Sequence, residues 1–175
     1  LEKLEKYDEN DKLAIYSSCP NEPFAYNQLS KDGNKYNLEL SKLDNELREK
    51  LKVIPSLKRV LVSCEGAFTY LANDYDLDEA YLWPVNAESQ VTPRRMLNLI
   101  RLVKSREVPA VFCETTVNSK AQLEVARSTG AKFGGNFYVD SLSTENGPAP
   151  TLLDLQRYNV RLLIDGLLSK NESTK

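Results

Sequence analysis

Histidine is missing altogether from the 175 residues. Its absence removes the commonest general base and the commonest ligand for zinc and similar ions, so any chemistry must rest on carboxylates, thiols or lysines. No apolar run approaches the ~18 residues that would suggest a membrane span. Charge of one sign is also lacking: 23 basic and 25 acidic side chains are well mixed and leave a net charge of −2. Such a chain offers no electrostatic footprint for a phosphate backbone or an anionic membrane, and no nucleic acid partner is expected. Around Gly130, Gly134 and Gly135 neither G-x-G-x-x-G nor G-x-x-x-x-G-K-S/T occurs, which removes the two common phosphate loops. No internal repeat is visible. The chain starts at Leu1 with no cationic, apolar and small-residue export signal, and is expected to be a processed product or an excised piece.

What remains is the composition of a soluble globular domain, 41% hydrophobic and 27% charged, at a length that buries an adequate core without a metal or disulfide. Residues 1–23 are charge-rich, broken by Pro20 and Pro23, and read as a lead-in. Over 24–55 the apolar positions Tyr36, Leu40, Leu43, Leu47, Leu51 and Ile54 recur every three or four residues, which predicts one long amphipathic helix ended by Pro55. Residues 56–175 then alternate short apolar runs with helical stretches. Strands are predicted at Arg59–Ser63, Ala80–Trp83, Ala110–Cys113 and Asn136–Val139. Helices are predicted from Thr92-Pro93 to about Arg106, from Ser119 to Thr129 before Gly130, and from Thr151 to Leu168, each opened or closed by recognisable cap chemistry. Parallel neighbours need crossovers of a dozen or more residues, as found here. The fold class is therefore α/β: a four-stranded, mainly parallel sheet flanked by helices and preceded by one long helix.

Open α/β sheets collect ligands outside the carboxyl ends of their strands. The first, third and fourth predicted strands run into Cys64-Glu65-Gly66, Cys113-Glu114-Thr115 and Asp140-Ser141. Carboxylates gathered at one edge suit a hard cation such as manganese or magnesium. Each can instead cap the following helix, and Glu114, followed by Thr115, Thr116, Asn118 and Ser119, suits that role best. Cys64 and Cys113 hold equivalent positions on two strands. In an oxidising compartment they can pair, and closing that loop would contribute about 4 kcal/mol in the chain-entropy model. Otherwise they are two reduced, buried, small apolar residues. Cys19 is left over. Tyr81, Trp83, Phe137 and Tyr138 lie on predicted strands and read as core or pocket wall.

Taken together, Leu61–Tyr70, Glu79–Glu88, Val108–Val117 and Gly134–Leu142 resemble, in order and spacing, the second lobe of the manganese/zinc-binding solute receptors of bacterial ABC importers. The likeness covers residues 24–168. It implies two α/β lobes joined by one long interlobe helix, with the metal between them held by two histidines of the first lobe and by a Glu or His plus an Asp of the second. Glu65 and Asp140 stand at the matching positions. A glutamate at the first of these resembles the manganese-type receptors, since manganese prefers oxygen donors. The cysteines at 64 and 113 are similar to a pair in the cyanobacterial manganese type, where they would form a disulfide.

The expected partners are a divalent metal ion, a missing amino-terminal lobe and an ABC transporter permease, in the periplasm or another extracytoplasmic space. The manganese (alternatively zinc or iron) would bind at best at sub-millimolar affinity, because the histidine-bearing lobe is missing. An enzyme is not expected. The rival from that class is a magnesium-dependent hydrolase using Glu65, Glu114 and Asp140; a third reading, resting on the family alone, is a surface adhesin.

Overall fold

A computed structural model describes residues 23–86 and 91–169. Residues 1–22 of the lead-in lie outside these, and Pro23 opens the first helix instead. The chain is divided into two compact units between Leu43 and Asp44, inside the helix α1 (Pro23–Leu51). In the first unit α1 is largely polar, with Tyr36 and Leu38 exposed. In the second unit its continuation buries Leu47 and Leu51, and Ile54 follows them into the core. The helix stops at Leu51 rather than running to Pro55. Its last carbonyl, Leu51 O, accepts from the Arg59 guanidinium at 3.3 Å, and the same group donates to Ile54 O in the following turn at 3.1 Å, a cation where the helix dipole favours one.

The order that follows is a 3-10 turn (Ser56–Lys58), β1 (Val60–Glu65), α2 (Thr69–Asp74), β2 (Asp78–Trp83), α3 (Pro93–Ser105), β3 (Ala110–Glu114), α4 (Lys120–Thr129), β4 (Lys132–Phe137) and α5 (Leu152–Leu167). This is the α/β pattern that the periodicity predicts, with every ladder parallel. The caps also behave as expected. Thr92 Oγ1 accepts from Arg95 N–H, Thr151 Oγ1 accepts from Asp154 N–H, and Gly130 closes α4 in the left-handed region at φ 77°. The short α2 carries too few residues to show a period. Among the described residues no helix is long and apolar enough to cross a membrane.

Two details differ from expectation. The ladders are two pairs, β1 with β2 and β3 with β4, rather than one continuous four-stranded sheet. β1 and β3 nevertheless lie side by side: Cys64 and Cys113 are disulfide-bonded with Cα atoms 4.8 Å apart, the ordinary spacing of neighbouring strands. At this seam Glu65 N–H donates to the side chain of Glu114, at 3.3 Å.

The second difference is β4, which occupies Lys132–Phe137 instead of residues 136–139. Gly134 and Gly135 argue against a strand by composition, yet the fold needs them. The β3–β4 register shifts between Val111 and Phe112, and a Cβ on Gly134 would come within 2.3 Å of the Phe112 ring. Gly166 of α5 approaches the same ring, where a Cβ would meet Phe112 Cζ at 2.5 Å and Ala110 Cβ at 3.0 Å. Phe112 stacks on Phe137 at 4.7 Å and is fully buried.

Alanine at 166 sets about 1 kcal/mol of helix propensity in its favour against overpacking of about 1–3 kcal/mol. Because Phe112 has nowhere to move, overpacking wins. Gly166→Ala is expected to lower stability by about 1–2 kcal/mol in denaturant unfolding, and Phe112→Leu in the same chain to recover part of that loss. Full stability in the single variant would contradict this packing.

Candidate metal centre

The registers Glu65↔Trp83 and Glu114↔Phe137 bring the ends of β1 with β2, and of β3 with β4, level. The Glu65–Glu114 hydrogen bond and the adjacent disulfide align the two pairs. All four strands therefore open onto one edge, the edge at which parallel sheets bind ligands.

Glu65 is the last residue of β1, within the strand rather than beyond it, and is only 8% exposed. Its Oε1 accepts from Asn86 N–H, and its carbonyl accepts from Ser63 Oγ at 2.7 Å. The chain turns at once. Gly66 N–H donates to Trp83 O at 2.9 Å, and Gly66 lies against the face of Tyr81, whose ring a Cβ would meet at 2.8 Å. Glu79 of β2 then receives the returning segment, accepting from Phe68 N–H at 2.9 Å and from Thr69 Oγ1 at 2.7 Å. It serves α2 as a capping carboxylate.

Asp140 follows β4 by three residues and is exposed. Its approach is held by Asn159 of α5, whose Oδ1 accepts from Tyr138 N–H at 2.9 Å and whose Nδ2 donates to Tyr138 O at 2.7 Å. On its far side the loop closes on itself: Ser143 N–H donates to Ala149 O at 2.9 Å, and Ala149 N–H to Ser143 Oγ at 3.0 Å. Asn159 and Glu79 are the residues that sequence reasoning missed. A signal for Asn159 existed, an amide among Leu155, Val160 and Leu163 on the apolar face of α5.

Glu114 does not cap α4; Asn118 Oδ1 does that work, accepting from Lys120 N–H at 2.9 Å. The Glu114 side chain is instead wholly buried. Its Oε1 accepts from Glu65 N–H, and its Oε2 has no partner among the described residues. Burial, opposed by main-chain donors and reinforced by the charge of Glu65, pushes the Glu114 carboxyl up to about 7. A carboxyl so enclosed is no open ligand for a hydrated magnesium ion. Two grooves among the described residues, of about 400 and 510 Å³, are lined by neither Glu65, Glu114 nor Asp140. Among the described residues, Glu65 and Asp140 belong to no cluster of three or more potential ligand groups.

Residues 22–166 match the family model described as zinc-uptake complex component A, periplasmic. The chain belongs to this family. Over 160 residues it is 41% identical to the iron-binding protein YfeA of Yersinia pestis, covering 91% of this chain and 50% of that protein. It is 28% identical to the manganese ABC transporter substrate-binding lipoprotein PsaA of Streptococcus anginosus, over 92% of this chain and 51% of the relative. The chain thus spans about half the length of these relatives. Among solved structures, the Mn-bound periplasmic metal-binding protein from Candidatus Liberibacter asiaticus superposes with a TM-score of 0.76 at 31% identity, covering 91% of this chain and 58% of that one.

The raised Glu114 carboxyl has a consequence for stability. Because its folded value lies above the unfolded one, the native state holds the proton more tightly. That contribution is complete below about pH 4.5 and is lost as pH rises through about 7. Glu114→Gln keeps the acceptor for Glu65 N–H and cannot ionise. In metal-free buffer the variant is expected to match the parent near pH 4 and to exceed it at pH 8 by on the order of 3 kcal/mol in denaturant unfolding. Equal differences at both pH values would contradict an enclosed, titrating carboxyl.

Proposed function

We propose that this chain is the carboxy-terminal lobe of the substrate-binding component of a metal ABC import system, and that Glu65 and Asp140 supply carboxylate oxygens to one side of a divalent-ion site. Manganese is the first candidate for the cargo, because an all-oxygen contribution suits it. Iron is the second, favoured by the 41% identity to a protein named iron-binding. On this reading residues 24–55 are the interlobe helix and 56–175 the lobe. The remaining ligands come from histidines of an amino-terminal lobe, outside the cytoplasm, and the loaded receptor meets a permease.

The observation that carries the reading is the common edge. Glu65 terminates β1 and Asp140 follows β4 on the side where all four strands open, each on a segment braced by buried polar side chains, Glu114 for one and Asn159 for the other. Preorganised carboxylates lower the reorganisation that metal capture requires. Two of them with water completing the coordination form half a site, which argues for capture shared with a second lobe rather than for catalysis.

Calorimetric titration of the chain with manganese, iron(II) and zinc, beside a Glu65→Ala/Asp140→Ala double variant, tests this. Binding is expected at best in the sub-millimolar range and is expected to vanish in the double variant. Tight binding that survives both substitutions would overturn the assignment of these residues.

A further inference from the structure

Behind the Glu65 turn lies a second group of metal-binding atoms. The Sγ atoms of Cys64 and Cys113 and a carboxylate oxygen of Glu114 all lie within 4.8 Å of one another, and none of the three side chains is exposed. In the oxidised chain the sulfurs are bonded to each other. Two buried acceptors at this place have no hydrogen-bond partner among the described residues: Glu114 Oε2, and Oδ1 of Asn136, the register partner of Cys113. Buried oxygens without a donor are uncommon and costly. A carboxylate within 4.8 Å of both sulfurs that carries an unpartnered oxygen would be satisfied by a cation. Thiolates with an oxygen donor suit borderline-soft ions such as zinc and cadmium, not manganese.

We propose that, in the dithiol form, Cys64, Cys113 and Glu114 bind one zinc-class ion at a site separate from Glu65 and Asp140. Opening the bridge takes two electrons and two protons, both supplied by a dithiol reductant, whereas a phosphine supplies the electron pair and water the protons. A dithiol leaves as its own disulfide; a phosphine leaves as its oxide, with the oxygen drawn from water. The divalent ion then displaces the two thiol protons to solvent and is held by two sulfurs and the carboxylate. Disulfide and metal exclude each other, because each sulfur bonds either its partner or the ion. A soft ion bound here blocks bridge formation, and an established bridge leaves no soft site.

The test uses the whole chain carrying Cys19→Ser, produced and kept under a phosphine reductant so that the bridge never forms, then titrated with cadmium. Ultraviolet thiolate-to-cadmium charge transfer is expected, saturating at one ion per chain. It is expected to be absent from the oxidised chain, lost in Cys113→Ser, weakened about tenfold or more in affinity by Glu114→Gln, and unchanged by Asp140→Ala. Bound cadmium is also expected to slow bridge formation by oxidised glutathione. If the dithiol chain does not hold its fold, one equivalent of cadmium is expected to restore helical circular dichroism in the Cys19→Ser chain but not with Cys113→Ser added. No charge-transfer signal in a folded dithiol chain, no recovery in an unfolded one, or an affinity indifferent to Glu114→Gln would each overturn the proposal. Because Asp140→Ala separates the two sites, failure here is distinguishable from failure of the manganese reading.

Discussion

The seam between β1 and β3 is the constraint on which the rest of the second unit depends. Two parallel pairs of strands meet there without a ladder of main-chain hydrogen bonds among the described residues, and a disulfide and a buried carboxylate hold them at strand spacing. A covalent bond closing a separation of 49 residues limits the unfolded chain by about 4 kcal/mol in the entropy model. The Glu114 carboxylate supplies an acceptor that a neighbouring strand would otherwise provide. With the seam in place, the ends of all four strands are level and share one edge.

Two buried polar side chains and one half-buried one then aim what leaves that edge. Glu114 holds the main chain at Glu65, Glu79 receives the turn that follows, and Asn159 clamps Tyr138 ahead of Asp140. Each is a side chain satisfying main-chain groups that would otherwise be buried unpaired, so each fixes direction as well as energy. The exposed ion pairs, such as Arg48–Asp44 and Lys50–Glu46 along α1, sit in high dielectric and contribute little. Rigidity at the edge comes from the buried network, and the surface charges serve solubility.

The family model that this chain matches is described as a periplasmic zinc-uptake component, and its relatives are named for iron and for manganese. Oxygen donors alone do not separate these ions, because affinity within a given donor set follows the metal and selectivity comes from geometry and the remaining ligands. A chain spanning about half of its relatives carries only its own donors. On the proposed reading, discrimination would depend on what stands opposite Glu65 and Asp140.

Element types, most caps and the parallel α/β class were legible in the sequence, because they follow from local periodicity and from Thr92, Gly130 and Thr151, each of which acts within a few residues. The ends of β1 and β3, with Glu65 and Glu114, were legible for the same reason, whereas β4 ends three residues before Asp140 rather than beside it. Tertiary structure decided the rest. It moved β4 onto Gly134 and Gly135, since only a residue without Cβ lets that strand pass Phe112. It turned Glu114 from a helix cap into a buried brace, and it recruited Asn159 and Glu79 from distant elements. Those outcomes depend on which side chains meet across the fold, and no local pattern encodes a partner that lies far away along the chain.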